Sequence, residues 1–147
     1  MNFMDGLFRN QVVGIAFVSW FAAQFLKVVL TLIFEKRLNL YRMVGSGGMP
    51  SSHSSTVMAL STAVGLVHGW DSLLFGLCLV FSLIVMYDAS GVRQSVGKQA
   101  IILNTILDDL YQHKPIQEER LKELVGHTKV EVLAGAMLGI VIANLMI

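Results

Sequence analysis

Apolar and polar residues fall in long blocks along this chain, not at the two-residue period of half-buried strands. The first apolar block, Gln11–Phe34 (QVVGIAFVSWFAAQFLKVVLTLIF), is interrupted by Gln24 and Lys27. As a helix it is about 36 Å long, enough to cross a hydrocarbon core of about 30 Å. A second block, residues 54–86, is too long for one span and breaks at His68-Gly69-Trp70-Asp71. That polar-aromatic cluster suits a membrane interface and predicts a helical hairpin over 54–68 and 72–88. Both arms sit near the lower limit of about 17 residues, so tilting or local thinning of the bilayer is expected. A last block runs from near Thr128 to the C-terminus (VEVLAGAMLGIVIANLMI). The pattern predicts one domain over 1–147, an all-α integral membrane bundle of about four transmembrane helices.

Two polar connections join these blocks, residues 35–53 and 89–127. In the second, Ala100, Leu103, Leu107 and Leu110 recur at helical spacing, which predicts an amphipathic helix on the membrane or on the protein. Pro115 divides that connection into two helical pieces. With four spans, both connections emerge on one side of the membrane. That side carries Lys36, Arg37, Arg42, Arg93, Lys98, Lys114, Arg120, Lys122 and Lys129, against Arg9 alone on the other. The positive-inside rule then places the connections in the cytoplasm.

Composition agrees with the block pattern. Of 147 residues, 54% are hydrophobic and 14% charged, where soluble domains carry about 25% charged residues. Mean hydropathy is +0.65. Disorder, a basic nucleic-acid-binding module and most soluble enzymes are excluded, and the net charge of +1 selects no partner. The single cysteine, Cys78, lies within GLCLVFSLIVM and reads as a buried small hydrophobe, so a disulfide scaffold and a cysteine zinc site are excluded. A cleaved signal peptide is not expected, because the first apolar block is too long and Asp5 accompanies Arg9 ahead of it.

Three polar clusters at the connection side could carry chemistry. The first is GSGGMPSSHSS, residues 45–55. Glycines there let successive N–H groups face inward around an oxyanion, and the following helix N-terminus adds its dipole. Gly48, Ser51 and Ser52 belong to this reading, and His53 could protonate a leaving oxygen. A flexible loop ending in a serine N-cap fits the same letters. The second cluster is YDASGVR, residues 87–93. Arg93 either binds phosphate through its planar fork or anchors the chain at the interface. Asp88 is a metal ligand or a partner of Arg93 or Lys98. The third is GHTKVE, residues 126–131, where His127 and Glu131 share a helix face at i, i+4. That face continues through Gly135, Gly139 and Ala143, a small-residue stripe for close packing within or between subunits. Lys27 either snorkels to the interface or reaches an anion from below.

Two histidines, a serine-rich loop, an arginine and a lysine at one membrane face can move a phosphoryl group without a metal. One imidazole attacks phosphorus, the other protonates the leaving alkoxide, and the cations hold the equatorial oxygens. A His/Asp/Glu metal site from His53, Asp88, His127 and Glu131 is a competing arrangement of the same side chains.

GMPSSH followed by GHxxxEVxxG resembles the type 2 phosphatidic acid phosphatase (PAP2) superfamily, relatives of the vanadium haloperoxidases. GGMPSSHSS, YDASGVR and ELVGHTKVEVLAGAMLG are similar to its small divergent bacterial branch, and the likeness covers nearly the whole chain. The resemblance implies His53 as general acid within Pro50-Ser51-Ser52-His53, where Ser52 replaces a glycine. It implies His127 as nucleophile, with Glu131 in place of an orienting aspartate. Arg93 corresponds to the arginine that precedes the nucleophile, at longer spacing. Lys27 corresponds to the first-motif lysine, without the Arg-Pro that follows it in the family; Arg37 or Arg42 is a loose stand-in.

The expected activity is hydrolysis of a lipid phosphate monoester or diphosphate through a phosphohistidine intermediate, with no metal and no cofactor. Phosphatidylglycerophosphate or phosphatidic acid suits a cytoplasm-facing site in a bacterial cell membrane. The partners expected are that lipid and the bilayer, with no nucleic acid, and a homo-oligomer if the glycine stripe pairs between copies. The competing class is a catalytically inactive phospholipid-binding or scaffolding membrane protein.

Overall fold

A computed structural model describes residues 2–36, 48–110 and 126–147. The polar middles of both connections, with Arg37, Arg42 and Pro115, lie outside the described residues. Six helices follow in order: α1 (Phe3–Arg9), α2 (Gln11–Glu35), α3 (Ser52–His68), α4 (Leu73–Ser90), α5 (Val92–Leu110) and α6 (Lys129–Met146). Among the described residues there is no strand. Three stretches of the described residues are long and apolar enough to cross a membrane: Gln11–Phe34, Leu73–Leu107 and Lys129–Met146. The 17-residue α3, about 25 Å long, completes the bundle as its most enclosed member. The expected break at 68–71 is present, with Gly69 capping α3 and the Ser72 hydroxyl capping α4. The short helix α1, capped by Asn2, is an addition to the sequence reading.

The interior is small and polar, and the exterior is large and apolar. Ser19, Ser54, Ser55, Ser61 and Ser82 are buried, while Phe17, Phe25, Leu77, Phe81, Leu133 and Met137 are exposed. Lipid solvates large apolar side chains as well as a protein core does, so helices in a bilayer associate through residues that permit close approach. Serine pairs cross the bundle: Ser19 and Ser55 hydroxyls lie 2.7 Å apart, as do those of Ser61 and Ser82. Cys78 is half-buried, less enclosed than expected, because α4 shows most of its circumference to the outside.

Helix directions follow from these contacts. Gly135 of α6 meets Ser51 and Gly139 meets Ser55, four residues on in both helices, so α3 and α6 run parallel. A Cβ at Gly135 would fall on the Ser51 carbonyl oxygen, and one at Gly139 on that of Ser55. The small-residue stripe is therefore filled by α3 of the same chain. At the far end the Gln11 amide donates to the Met146 carbonyl at 3.3 Å, so α2 opposes α6. Three helix ends gather at the connection face: the C-terminus of α4 and the N-termini of α3 and α6.

The amphipathic helix is present as α5. Gly97, Ala100 and Asn104 are buried, whereas Leu103 is exposed and Leu107 half-buried. The reason is the inversion already noted, in which small residues pack inward and leucines face out.

Candidate functional site

The site forms where the parallel N-termini of α3 and α6 meet the end of α4. Two glycines with left-handed backbone lead into it: Gly48 (φ 84°) ahead of Ser51, and Gly126 (φ 105°) directly before His127. A side chain there would strain the backbone. Two main-chain hydrogen bonds then fix the loops. Ser51 N–H donates to the Glu131 carbonyl at 3.0 Å, and His127 N–H donates to the Ala89 carbonyl at 2.9 Å. The first ties the serine loop to α6, and the second ties the start of α6 to the end of α4.

His127 is 2% exposed. Its Nδ1 lies 2.9 Å from Glu131 Oε2. A carboxylate there can only accept a hydrogen bond, so Nδ1 carries the hydrogen and donates it, and Nε2 keeps the lone pair. The same Oε2 accepts the Thr128 N–H at 3.3 Å, and Thr128 Oγ1 accepts the Glu131 N–H at 3.3 Å, closing a capping box. Glu131 therefore caps α6 and orients the ring together. The His53 ring, in the first turn of α3, stands 6.0 Å from the His127 ring, centroid to centroid, at 64°. The two rings thus meet edge to face where α3 and α6 begin.

Ser51 is fully buried and caps α3. Its Oγ accepts from Ser54 N–H at 3.4 Å and from Ser54 Oγ at 3.1 Å, which is the serine N-cap the same letters allowed. Its own hydroxyl proton is uncommitted by these bonds. Ser52 is also buried, and its carbonyl accepts the Thr56 hydroxyl at 2.7 Å. Both helix N-termini direct positive dipole ends to the face holding the histidines, where negative charge is favoured.

Lys27 is 1% exposed and donates from Nζ to Gln24 Oε1 at 2.8 Å. It does not snorkel along the lipid-facing surface. The Ser19–Ser55 pairing sets the register of α2 against α3: Ala23 is level with Ser51, and Lys27 lies one turn, about 6 Å, beyond it. Its bond to Gln24 turns the ammonium back toward the level of the Ser51 loop. A buried ammonium in a span is costly unless it serves a polar site.

Asp88 is half-buried in the last turn of α4, next to the Ala89 carbonyl that holds His127. Arg93 belongs to the first turn of α5, and its side chain, like Arg37, lies outside the described residues. Among the described residues no three His, Cys, Asp or Glu side chains form a group able to hold a metal. The structure thus brings His53, His127, Glu131 and Ser51 together by direct geometry and Lys27 by register. The sequence reading missed Gln24, the Ala89 carbonyl and Thr128. Two of these left a signal: Gln24 as a polar interruption of an apolar block three residues before Lys27, and Thr128 in the T-x-x-E capping pattern before an apolar run.

Residues 8–142 match the Divergent PAP2 family. The chain is 39% identical over 131 residues to an uncharacterized membrane protein, YuiD, of Bacillus subtilis (strain 168), covering 82% of this chain and 83% of that protein. No solved structure matches it.

Proposed function

This chain belongs to the divergent PAP2 family, and on that premise we propose that it hydrolyses a membrane lipid phosphate through a phosphohistidine intermediate. One observation carries the reading: His127 is held by Glu131 at Nδ1 with the His53 ring 6.0 Å away. A histidine with one nitrogen fixed by a carboxylate is a nucleophile at the other. In the first step His127 Nε2 forms a bond to phosphorus as the ester P–O bond breaks, and protonated His53 gives its proton to the departing alkoxide. In the second, neutral His53 takes a proton from water, whose oxygen attacks phosphorus and breaks the P–N bond. Inorganic phosphate leaves, and both histidines return to their starting states.

The equatorial oxygens carry the developing charge. The α3 and α6 N-termini, the Ser51 hydroxyl, the Gly48 turn and the Lys27 ammonium answer it, and Arg93, in the first turn of α5, is the further cation this reading assigns to the phosphate. Ser52 lies in the same turn. Preorganised donors of this kind supply the largest share of barrier lowering in such reactions, and the residues make up a complete set without a metal. The site faces the cytoplasm by the positive charge of the connections, so the substrate is a phosphate made on that leaflet, such as phosphatidylglycerophosphate or phosphatidic acid.

A second reading, an inactive phospholipid-binding protein, is favoured by Ser52 in place of the superfamily glycine and by the distance in sequence between Arg93 and His127. Purified protein assayed for phosphate release from phosphatidic acid, phosphatidylglycerophosphate and polyprenyl diphosphate separates the two. Release that disappears in His127→Ala supports the phosphatase. Binding without release from any of the three supports the second reading.

A further inference from the structure

An apolar groove of about 280 Å³ opens between α2 and α3, lined by Val13, Ala16, Phe17, Trp20, Thr56 and Leu60. Its one polar wall residue on α3, Thr56, donates its hydroxyl to the Ser52 carbonyl. Thr56 and Leu60 follow His53 at i+3 and i+7, so the groove runs along the stripe of α3 that begins with His53. Its upper end lies one helical turn below that ring. From Trp20 to Val13 it continues about 10 Å toward the opposite membrane face. The opposite side of α3, through Ser51, Ser55 and Ala59, is closed by α6.

We infer that this groove binds one hydrocarbon chain of the lipid whose phosphate sits between His53 and His127. The inference rests on the phosphatase reading for the placement of the headgroup, and on the groove itself for the chain. A headgroup at the helix N-termini places its ester oxygens at the groove mouth, and the first methylenes then lie against Trp20 and Thr56. An apolar wall continuous with an anion site matches the two halves of one amphiphile. It also explains a tryptophan deep in a span, where tryptophan is not usual: Trp20 flanks the mouth and is 42% exposed.

The test uses full-length protein in phosphatidylcholine vesicles doped with phosphatidic acid bearing a mid-chain diazirine. After photolysis, adducts should concentrate on Phe17, Trp20 and Leu60. Excess unlabelled phosphatidic acid should reduce them several-fold, and added phosphatidylcholine should not. Ala16→Phe, which fills the groove, should lose the same adducts. Adducts spread evenly over the outward faces of α2, α4 and α6, or competed equally by phosphatidylcholine, would mean annular lipid and overturn the inference. Phosphate release in the same vesicles tests the other reading separately. Groove labelling without release removes the phosphatase and leaves a chain-binding groove, whereas release without groove labelling removes the groove alone.

Discussion

The Ser51 amide donates to the Glu131 carbonyl at 3.0 Å, and so the loop that carries His53 hangs from the helix turn that orients His127. Two residues eighty positions apart share one hydrogen bond, and the separation of the His53 and His127 rings depends on it. The glycine stripe makes the bond possible: only with hydrogen in place of Cβ at residue 135 can α6 approach the Ser51 carbonyl. Interhelical hydrogen bonds in membranes average about 0.6 kcal/mol. Close packing along the stripe, more than any single polar bond, therefore keeps the site assembled.

The nucleophile is the first point to test. His127→Ala should abolish phosphate release while the bundle stays folded, because the backbone bond to Ala89 and the glycine stripe of α6 are both retained. Glu131→Gln keeps an oxygen able to accept from Thr128 and His127 but loses the charge that stabilises an imidazolium. Its rate should fall about 10²–10⁴-fold. Turnover on purified protein measures both, and wild-type activity in His127→Ala would end the mechanism.

Gly135→Ala and Gly139→Ala should each destabilise the fold by at least about 1–3 kcal/mol, the usual cost of overpacking. The obstructing atoms are backbone, and backbone yields less readily than a side chain. Gly76→Ala is the control, since a Cβ there meets nothing within 4 Å, and it should be neutral or slightly stabilising. Thermal unfolding in detergent gives the ranking. Equal midpoints for Gly135→Ala and Gly76→Ala would show that α3 and α6 do not touch as described.

Lys27→Met conserves length and removes the charge. If the ammonium holds a substrate phosphoryl oxygen, kcat/KM should fall by at least tenfold, about 1.4 kcal/mol. Thermal stability should be unchanged or higher, because burying a methionine in a span carries no desolvation cost. Unchanged kinetics would assign Lys27 a structural role beside Gln24.

Orthovanadate, which adopts the five-coordinate geometry of phosphorus in flight, should inhibit competitively, because a phosphoryl-transfer site binds that geometry more tightly than substrate. EDTA should leave the activity intact. A strict requirement for added divalent metal in a rate assay would contradict the metal-free arrangement.

The parallel pairing of α3 and α6 puts both connections on one side of the bundle. With nine Lys or Arg residues there against Arg9 opposite, that side should be cytoplasmic. Single cysteines at positions 112 and 2, in a Cys78→Ser background, can be probed with an impermeant thiol reagent on intact cells. Position 2 should label and position 112 should label only after permeabilisation. The reverse would turn the site outward, toward lipids such as polyprenyl diphosphate.

Much of this architecture was legible in the amino-acid sequence, because bilayer thickness converts hydropathy directly into helix length. The block Gln11–Phe34, the break at Gly69 and the final span all follow from that constraint. The His127–Glu131 pair was legible too, since i, i+4 spacing on a helix fixes proximity without help from the rest of the chain. Other features required the tertiary structure. Hydropathy does not say which face of an amphipathic helix meets protein and which meets lipid, and only the tertiary structure puts Gly97, Ala100 and Asn104 inward and Leu103 outward. Nor does local sequence bring residue 53 beside residue 127, or set Lys27 level with the Ser51 loop. Those relations arise from the approach of α3 to α6 and from the register of α2 on α3. Steric fit between glycines and backbone carbonyls fixes the first, and the Ser19–Ser55 contact fixes the second. Such long-range contacts have no period along the chain to announce them.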